Sequence, residues 1–102
     1  MSDPVHALGA VRPSNGVFAR LFDGELLIVD LARGEYFALD EVGARLWDGI
    51  EKRRAIEQVA REITAEYDVA FERALTDLRT LVADLVARKL VVADRTERGD
   101  DR

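Results

Sequence analysis

Apolar positions between residues 17 and 39 come in short extended runs broken by turn residues, and from residue 41 onward they recur at helical spacing. The first run is Val17-Phe18-Ala19-Arg20-Leu21-Phe22, the second Glu25-Leu26-Leu27-Ile28-Val29-Asp30-Leu31, with Asp23-Gly24 between them. A two-residue type I′ turn needs φ > 0 at both positions, which Asp-Gly tolerates, so the pair predicts a hairpin. Ala32-Arg33-Gly34 is a second turn and leads into Glu35-Tyr36-Phe37-Ala38-Leu39, a third strand rich in aromatic residues. Leu26-Leu27-Ile28-Val29 does not alternate, as expected of a strand paired on both sides. The pattern therefore predicts a three-stranded antiparallel meander whose first and third strands are edges.

Beyond Asp40, a good N-cap residue, Val42, Leu46, Trp47 and Ile50 fall on one face of a short helix. After the charged connection Glu51-Lys52-Arg53-Arg54, a second helix follows from Ile56, Val59, Ala60, Ile63 and Tyr67. Asp68-Val69-Ala70 breaks it, and Phe71, Leu75, Leu78, Val82 and Leu85 mark one face of a longer third helix that ends near Arg88-Lys89. Leu90-Val91-Val92-Ala93 reads as a short closing strand paired with the segment around Val11. Strands followed by helices predict an α+β domain, and the pair of helices two and three resembles a winged helix-turn-helix. Residues 1–15 hold both prolines and little periodicity; they are expected to form a flexible arm touching the body through Leu8 and Val11. The domain then covers residues 16–93, and the charged segment 94–102 reads as a disordered tail.

Composition narrows the chemistry. A chain of 102 residues holds one core, and a net charge of -5, from 15 Lys+Arg against 20 Asp+Glu, is unsuited to general phosphate-backbone binding. There is no cysteine, which removes disulfides, thiolate nucleophiles and zinc-thiolate sites. No apolar run approaches the roughly 18 residues that span a bilayer, and Met1-Ser2-Asp3-Pro4 lacks a secretory signal's basic and apolar regions, so a soluble cytoplasmic protein with no membrane partner is expected. The single histidine, His6, and Ser2 and Ser14 all fall in the arm, so no nucleophile stands beside a base. Glu62, Glu66 and Asp68 cluster, but without the spacing of a calcium loop, and read as a hydrated face; phosphate-cradling glycine motifs are missing as well. The chain reads as a binding protein without catalytic residues, metal or cofactor.

Two surfaces compete for that role. The polar positions of the third helix, Glu72, Arg73, Thr76, Asp77, Arg79, Thr80, Asp84, Arg88 and Lys89, interleave acids with bases, and acids facing phosphates are repulsive. A DNA-binding regulator is therefore the weaker alternative, and no nucleic-acid partner is expected. The third strand, by contrast, lacks the lysine, proline or bulge that protects an edge. An extended peptide pairing with it would place alternate side chains in a groove walled by the third helix. The pattern alone equally allows that helix to cover the edge, and a third reading keeps the edge for self-association.

The run Leu27-Ile28-Val29-Asp30-Leu31, then Gly34-Glu35-Tyr36-Phe37-Ala38-Leu39-Asp40-Glu41-Val42-Gly43-Ala44-Arg45-Leu46-Trp47, resembles the PqqD-like family of peptide-recognition elements in ribosomal peptide modification. The similarity continues through Ile56-Glu57-Gln58-Val59-Ala60, Tyr67-Asp68-Val69, Asp77-Leu78, Leu81-Val82, Leu85 and Leu90-Val91, covering about Gly16 to Val92. The resemblance implies a winged-helix fold that binds the leader of a precursor peptide as a strand added to the third strand. It places main-chain pairing at Glu35, Tyr36, Phe37, Ala38 and Leu39, and a helix wall of Leu75, Leu78, Arg79 and Val82 with Asp77 and Leu81 in a second rank. Phe37 and Leu39 share one strand face and Tyr36 and Ala38 the other; either pair is a candidate for the groove.

Within the family, Leu39-Asp40-Glu41-Val42-Gly43-Ala44-Arg45-Leu46-Trp47 is closer to the partner proteins of lasso peptide biosynthesis. That resemblance implies presentation of the leader to a separate transglutaminase-like leader peptidase and an ATP-dependent cyclase, by tethering and without catalytic groups here. Two positions depart from the family pattern: Ala70, where Asp or Ser commonly caps the third helix, and Lys89, where glycine commonly ends it.

Overall fold

The computed structural model describes residues 11–93; the arm contact through Leu8, the tail histidine His6 and the charged segment 94–102 lie outside the described residues. Within them the order is β1 (Val11–Pro13), β2 (Val17–Phe22), β3 (Glu25–Asp30), β4 (Glu35–Leu39), α1 (Glu41–Glu51), α2 (Ile56–Glu66), α3 (Phe71–Ala87) and β5 (Val91–Ala93). This is a mixed α+β architecture in which β2, β3 and β4 form an antiparallel sheet in that spatial order, and β1 pairs with β5 in a separate two-stranded ribbon. Val11–Pro13, assigned to the arm from the sequence, are thus structural: Val11 is fully buried and pairs with Ala93.

Local chemistry accounts for the joints. Asp23 (φ 54°) and Gly24 (φ 84°) form the two-residue turn between β2 and β3, with Phe22 opposite Glu25. Buried Asp30 organises the next turn, its Oδ1 accepting from the N–H groups of Ala32 (3.1 Å) and Arg33 (3.2 Å), while Gly34 takes the positive φ. Asp40 caps α1, accepting from the Gly43 N–H at 2.9 Å. At the start of α3, Ala70 provides no side-chain cap. The far end of α3 closes with the Leu90 N–H donating to the Leu85 carbonyl and the Lys89 N–H to that of Val86, a Schellman closure that puts Lys89 at φ 63°.

The core lies between the inner face of the sheet and the three helices. Ile28, Leu39, Leu46, Trp47, Ile50, Ile56, Val59, Ile63, Leu78, Val82 and Leu85 are buried together. Trp47 keeps its indole N–H satisfied at Glu51 Oε2, 3.1 Å away. No helix among the described residues is long and apolar enough to cross a membrane.

Candidate functional site

The sheet register shows what β4 presents. Phe22 and Glu25 close a two-residue turn, so they form a hydrogen-bonded pair, and pairs alternate from there: Arg20 with Leu27 and Phe18 with Val29 bond directly. The Leu31 N–H donating to Gly16 O at 3.0 Å keeps that phase. On β3, Leu26, Ile28 and Asp30 therefore direct their main-chain groups toward β4, where they meet Leu39, Phe37 and Glu35. Tyr36 and Ala38 are left with N–H and C=O groups turned to the free edge, and no strand pairs with that edge among the described residues. Of the five residues 35–39, two turn their main-chain groups to the free edge and three turn theirs to β3.

Side-chain facing follows from the same register. Phe37 and Leu39 lie on the inner face with Ile28 and Leu26; Leu39 is buried and Phe37 half-buried against the core. Tyr36 and Ala38 lie on the outer face, with Tyr36 74% exposed. A strand added at this edge would send alternate side chains toward Phe37 and Leu39.

On α3, Leu75, Leu78 and Val82 are buried, at 8%, 1% and 0% exposure, and form the core-facing stripe. Leu81 is half-buried and Asp77 exposed, and by helical spacing both flank that stripe on one side while half-buried Arg79 flanks it on the other. Asp77, Leu81, Asp84 and Arg88 recur at i, i+4, i+7 and i+11, one continuous flank. Two observations turn this flank toward β4. The Arg88 guanidinium lies over the Phe37 ring, 4.4 Å from its centroid, while its Nε donates to Asp84 (3.2 and 3.3 Å). Asp77 lines a recess together with Val42, Ile63, Tyr67, Val69 and Ala74.

That recess holds about 200 Å³ and is almost wholly apolar. A void of about 150 Å³ accepts a benzene ring, so one large apolar side chain fits here. It sits just beyond the end of β4, because Val42 follows Leu39 by three residues. Beside it, Arg45 pairs with Glu66 and lies over the Tyr67 ring, 5.9 Å from the centroid. Burial opposes the Arg45 charge, but the hydrogen bond with Tyr67 and the nearby Glu66, Tyr67 and Glu41 outweigh it and raise its pKa. This ion pair stands outside the lining of the recess, in which Asp77 is the charged residue.

Sequence reasoning did not single out Arg88, Asp84, Val42, Tyr67, Val69 and Ala74 as site residues. A signal for the first two was present: the spacing of positions 77, 81, 84 and 88. The recess left no such trace, since three helices contribute to it.

This geometry has counterparts. TbiB1, solved in complex with the TbiA(beta) leader peptide, is 32% identical; the match covers 78% of this chain and 93% of that one, with a TM-score of 0.72. A lasso peptide synthetase B1 complexed with its leader peptide shares the fold at 23% identity, over 81% of this chain and 98% of that one, with a TM-score of 0.77. A comparison with the curated proteins finds no match. The description "coenzyme PQQ synthesis protein D (PqqD)" matches residues 25–91, which span β3 through the start of β5, so the chain belongs to the PqqD family.

Proposed function

We propose that this protein binds the leader segment of a ribosomally made precursor peptide, of the lasso peptide class, as an antiparallel strand on β4. The observation that carries the reading is the free β4 edge at Tyr36 and Ala38, beside the α3 flank that carries Leu81 and beside the apolar recess. Leader peptides in the structures of TbiB1 and of the lasso peptide synthetase B1 support it. An antiparallel ligand runs opposite to β4, so its N-terminal part lies near Leu39 and the recess, and its C-terminal part leaves past Glu35 and Arg88. In this reading the sheet is the wing of a winged helix-turn-helix, and the exit end is where a transglutaminase-like peptidase and an ATP-dependent cyclase receive the peptide. The protein acts by tethering, which raises the substrate's local concentration.

Energetics assign the roles. Ordering a free peptide costs about 1–2 kcal/mol per residue, more than the about 0.5–1.5 kcal/mol that each main-chain hydrogen bond returns. Apolar anchors in the recess and against Phe37 and Leu81 supply the remainder. Of the cations Arg73, Arg79, Arg88 and Lys89, two are paired with acids four residues away, Arg73 with Asp77 and Arg88 with Asp84, and acids interleaved in this way are unsuited to DNA phosphates.

The test is titration of labelled leader peptides of lasso peptide precursors, the one bound by the parent chain then being titrated with Leu81→Asp and Ala38→Pro variants. Ala38 donates to the free edge, so proline there removes an edge donor and leaves the β3 ladder intact. Each variant is expected to weaken binding about tenfold or more while circular dichroism stays native. Native affinity in both folded variants refutes the placement. Binding to labelled duplex that falls steeply with salt, with none to the leader, refutes the function.

A further inference from the structure

The opposite edge of the sheet carries a second surface. Four large apolar side chains are exposed on β2 or beside its start: Phe18 (59%), Leu21 (68%), Phe22 (68%) and Leu31 (66%), the last bonded through its N–H to Gly16. The alternation that frees Tyr36 and Ala38 on β4 also turns the main-chain groups of Val17, Ala19 and Leu21 outward from β2. The Val17 N–H is taken by the Ser14 carbonyl at 3.2 Å; no strand pairs with this edge among the described residues. Lysine, proline and bulges are missing from Val17–Phe22, and Arg20 is its one charged side chain.

We propose that β2 pairs with β2 of a second copy of this chain, antiparallel about a two-fold axis at Ala19, to make one continuous sheet with β4 at both outer edges. Such a seam is isologous and closes at two copies. Hydrogen bonding through the Val17 carbonyl and through Ala19 and Leu21 leaves few registers. Pairing Leu21 with Ala19 would set Arg20 against its own copy, a direct like-charge contact. Pairing Val17 with Ala19 would leave Leu21 against Asn15 and Phe22 against Ser14. With Ala19 opposite Ala19, each exposed apolar residue gains a partner. Leu21 meets Val17 on the inner face, Phe18 lies under Arg20 of the other copy, and Phe22 covers Gly16 next to Leu31, where no atom approaches within 4 Å of an added Cβ. Phe22 also stands diagonal to Phe18 of the second copy.

The size of the seam sets its strength. Aromatic side chains carry about 150–250 Å² each, so two phenylalanines and two leucines more than half exposed on each copy bring the total to about 1,000 Å², the range of a specific but transient association. The dimer leaves the β4 edge free.

The experiment uses the full chain, which has no cysteine to interfere. Sedimentation velocity over a wide concentration range is expected to show reversible dimerisation, and Leu21→Lys to raise the dimer dissociation constant about tenfold or more while leader affinity is unchanged. Register is read by mixing Phe18→Cys protein with Arg20→Cys protein under mild oxidation. The proposed seam brings these positions to about 4.5–5.5 Å, so the mixed disulfide forms ahead of either homodisulfide. A chain that stays monomeric at every concentration overturns the proposal, and so does a dimer that resists Leu21→Lys or cross-links only through Phe18→Cys or only through Arg20→Cys. Loss of leader binding with the dimer intact would count against the β4 site alone.

Discussion

Gly43 lets the first turn of α1 approach the end of β4, and replacing it tests what holds the β4 edge in place. A Cβ built on Gly43 stands 2.9 Å from the Leu39 Cβ, 3.2 Å from its Cδ2 and 3.3 Å from its Cγ. The shortest of these involves an atom fixed to the backbone, so a rotamer change does not relieve it. Overpacking a tight site costs about 1–3 kcal/mol, and alanine in a helix returns about 0.8–1 kcal/mol relative to glycine. Gly43→Ala is therefore expected to destabilise the domain by about 1 kcal/mol, equivalent to a fall in Tm of about 4–8 °C at this size. The assay is urea denaturation followed by the fluorescence of Trp47, which is buried beside α1's other core residues, with the slope against urea unchanged. Because relief requires Leu39 to move, leader affinity should fall as well. A variant as stable as the parent, or more so, would show that α1 and β4 separate without cost, and the account of how the edge is held would fail.

Two further outcomes follow from α3. Lys89→Gly relieves a left-handed residue inside a Schellman closure; against glycine's greater unfolded-state entropy it should stabilise the domain by about 0.5–1 kcal/mol, and an unchanged or lower midpoint in thermal unfolding would contradict that. Leu78→Asp and Val82→Asp each place a carboxylate in the core with no partner, so both are expected to lose cooperative unfolding rather than binding alone, as circular dichroism would report.

The element types and their order were legible in the sequence because each rests on neighbouring residues. Asp23-Gly24 carries its own turn, Asp40 caps α1 from three residues away, and the helical spacing of Leu46, Trp47 and Ile50 or of Phe71, Leu75, Leu78, Val82 and Leu85 states which positions share a face. Lys89 also belongs here: the helix ends where the pattern ends, although a lysine takes the position that favours glycine.

What a periodic pattern states is relative facing, and it leaves open what each face meets. Alternation separated Phe37 and Leu39 from Tyr36 and Ala38, but only packing on α1 and pairing with β3 turned the first two inward. The apolar stripe of α3 was visible, and its rotation about its own axis was not. That rotation sends Leu75, Leu78 and Val82 into the core and leaves Asp77, Leu81, Asp84 and Arg88 on a flank beside it, with Arg88 on Phe37, fifty-one residues away in the chain. The recess shared by Val42, Ile63, Tyr67, Val69, Ala74 and Asp77 exists only once three helices are assembled. Local bonding is written in adjacent residues, whereas the angle at which one helix meets a sheet is settled by the close packing of every side chain between them.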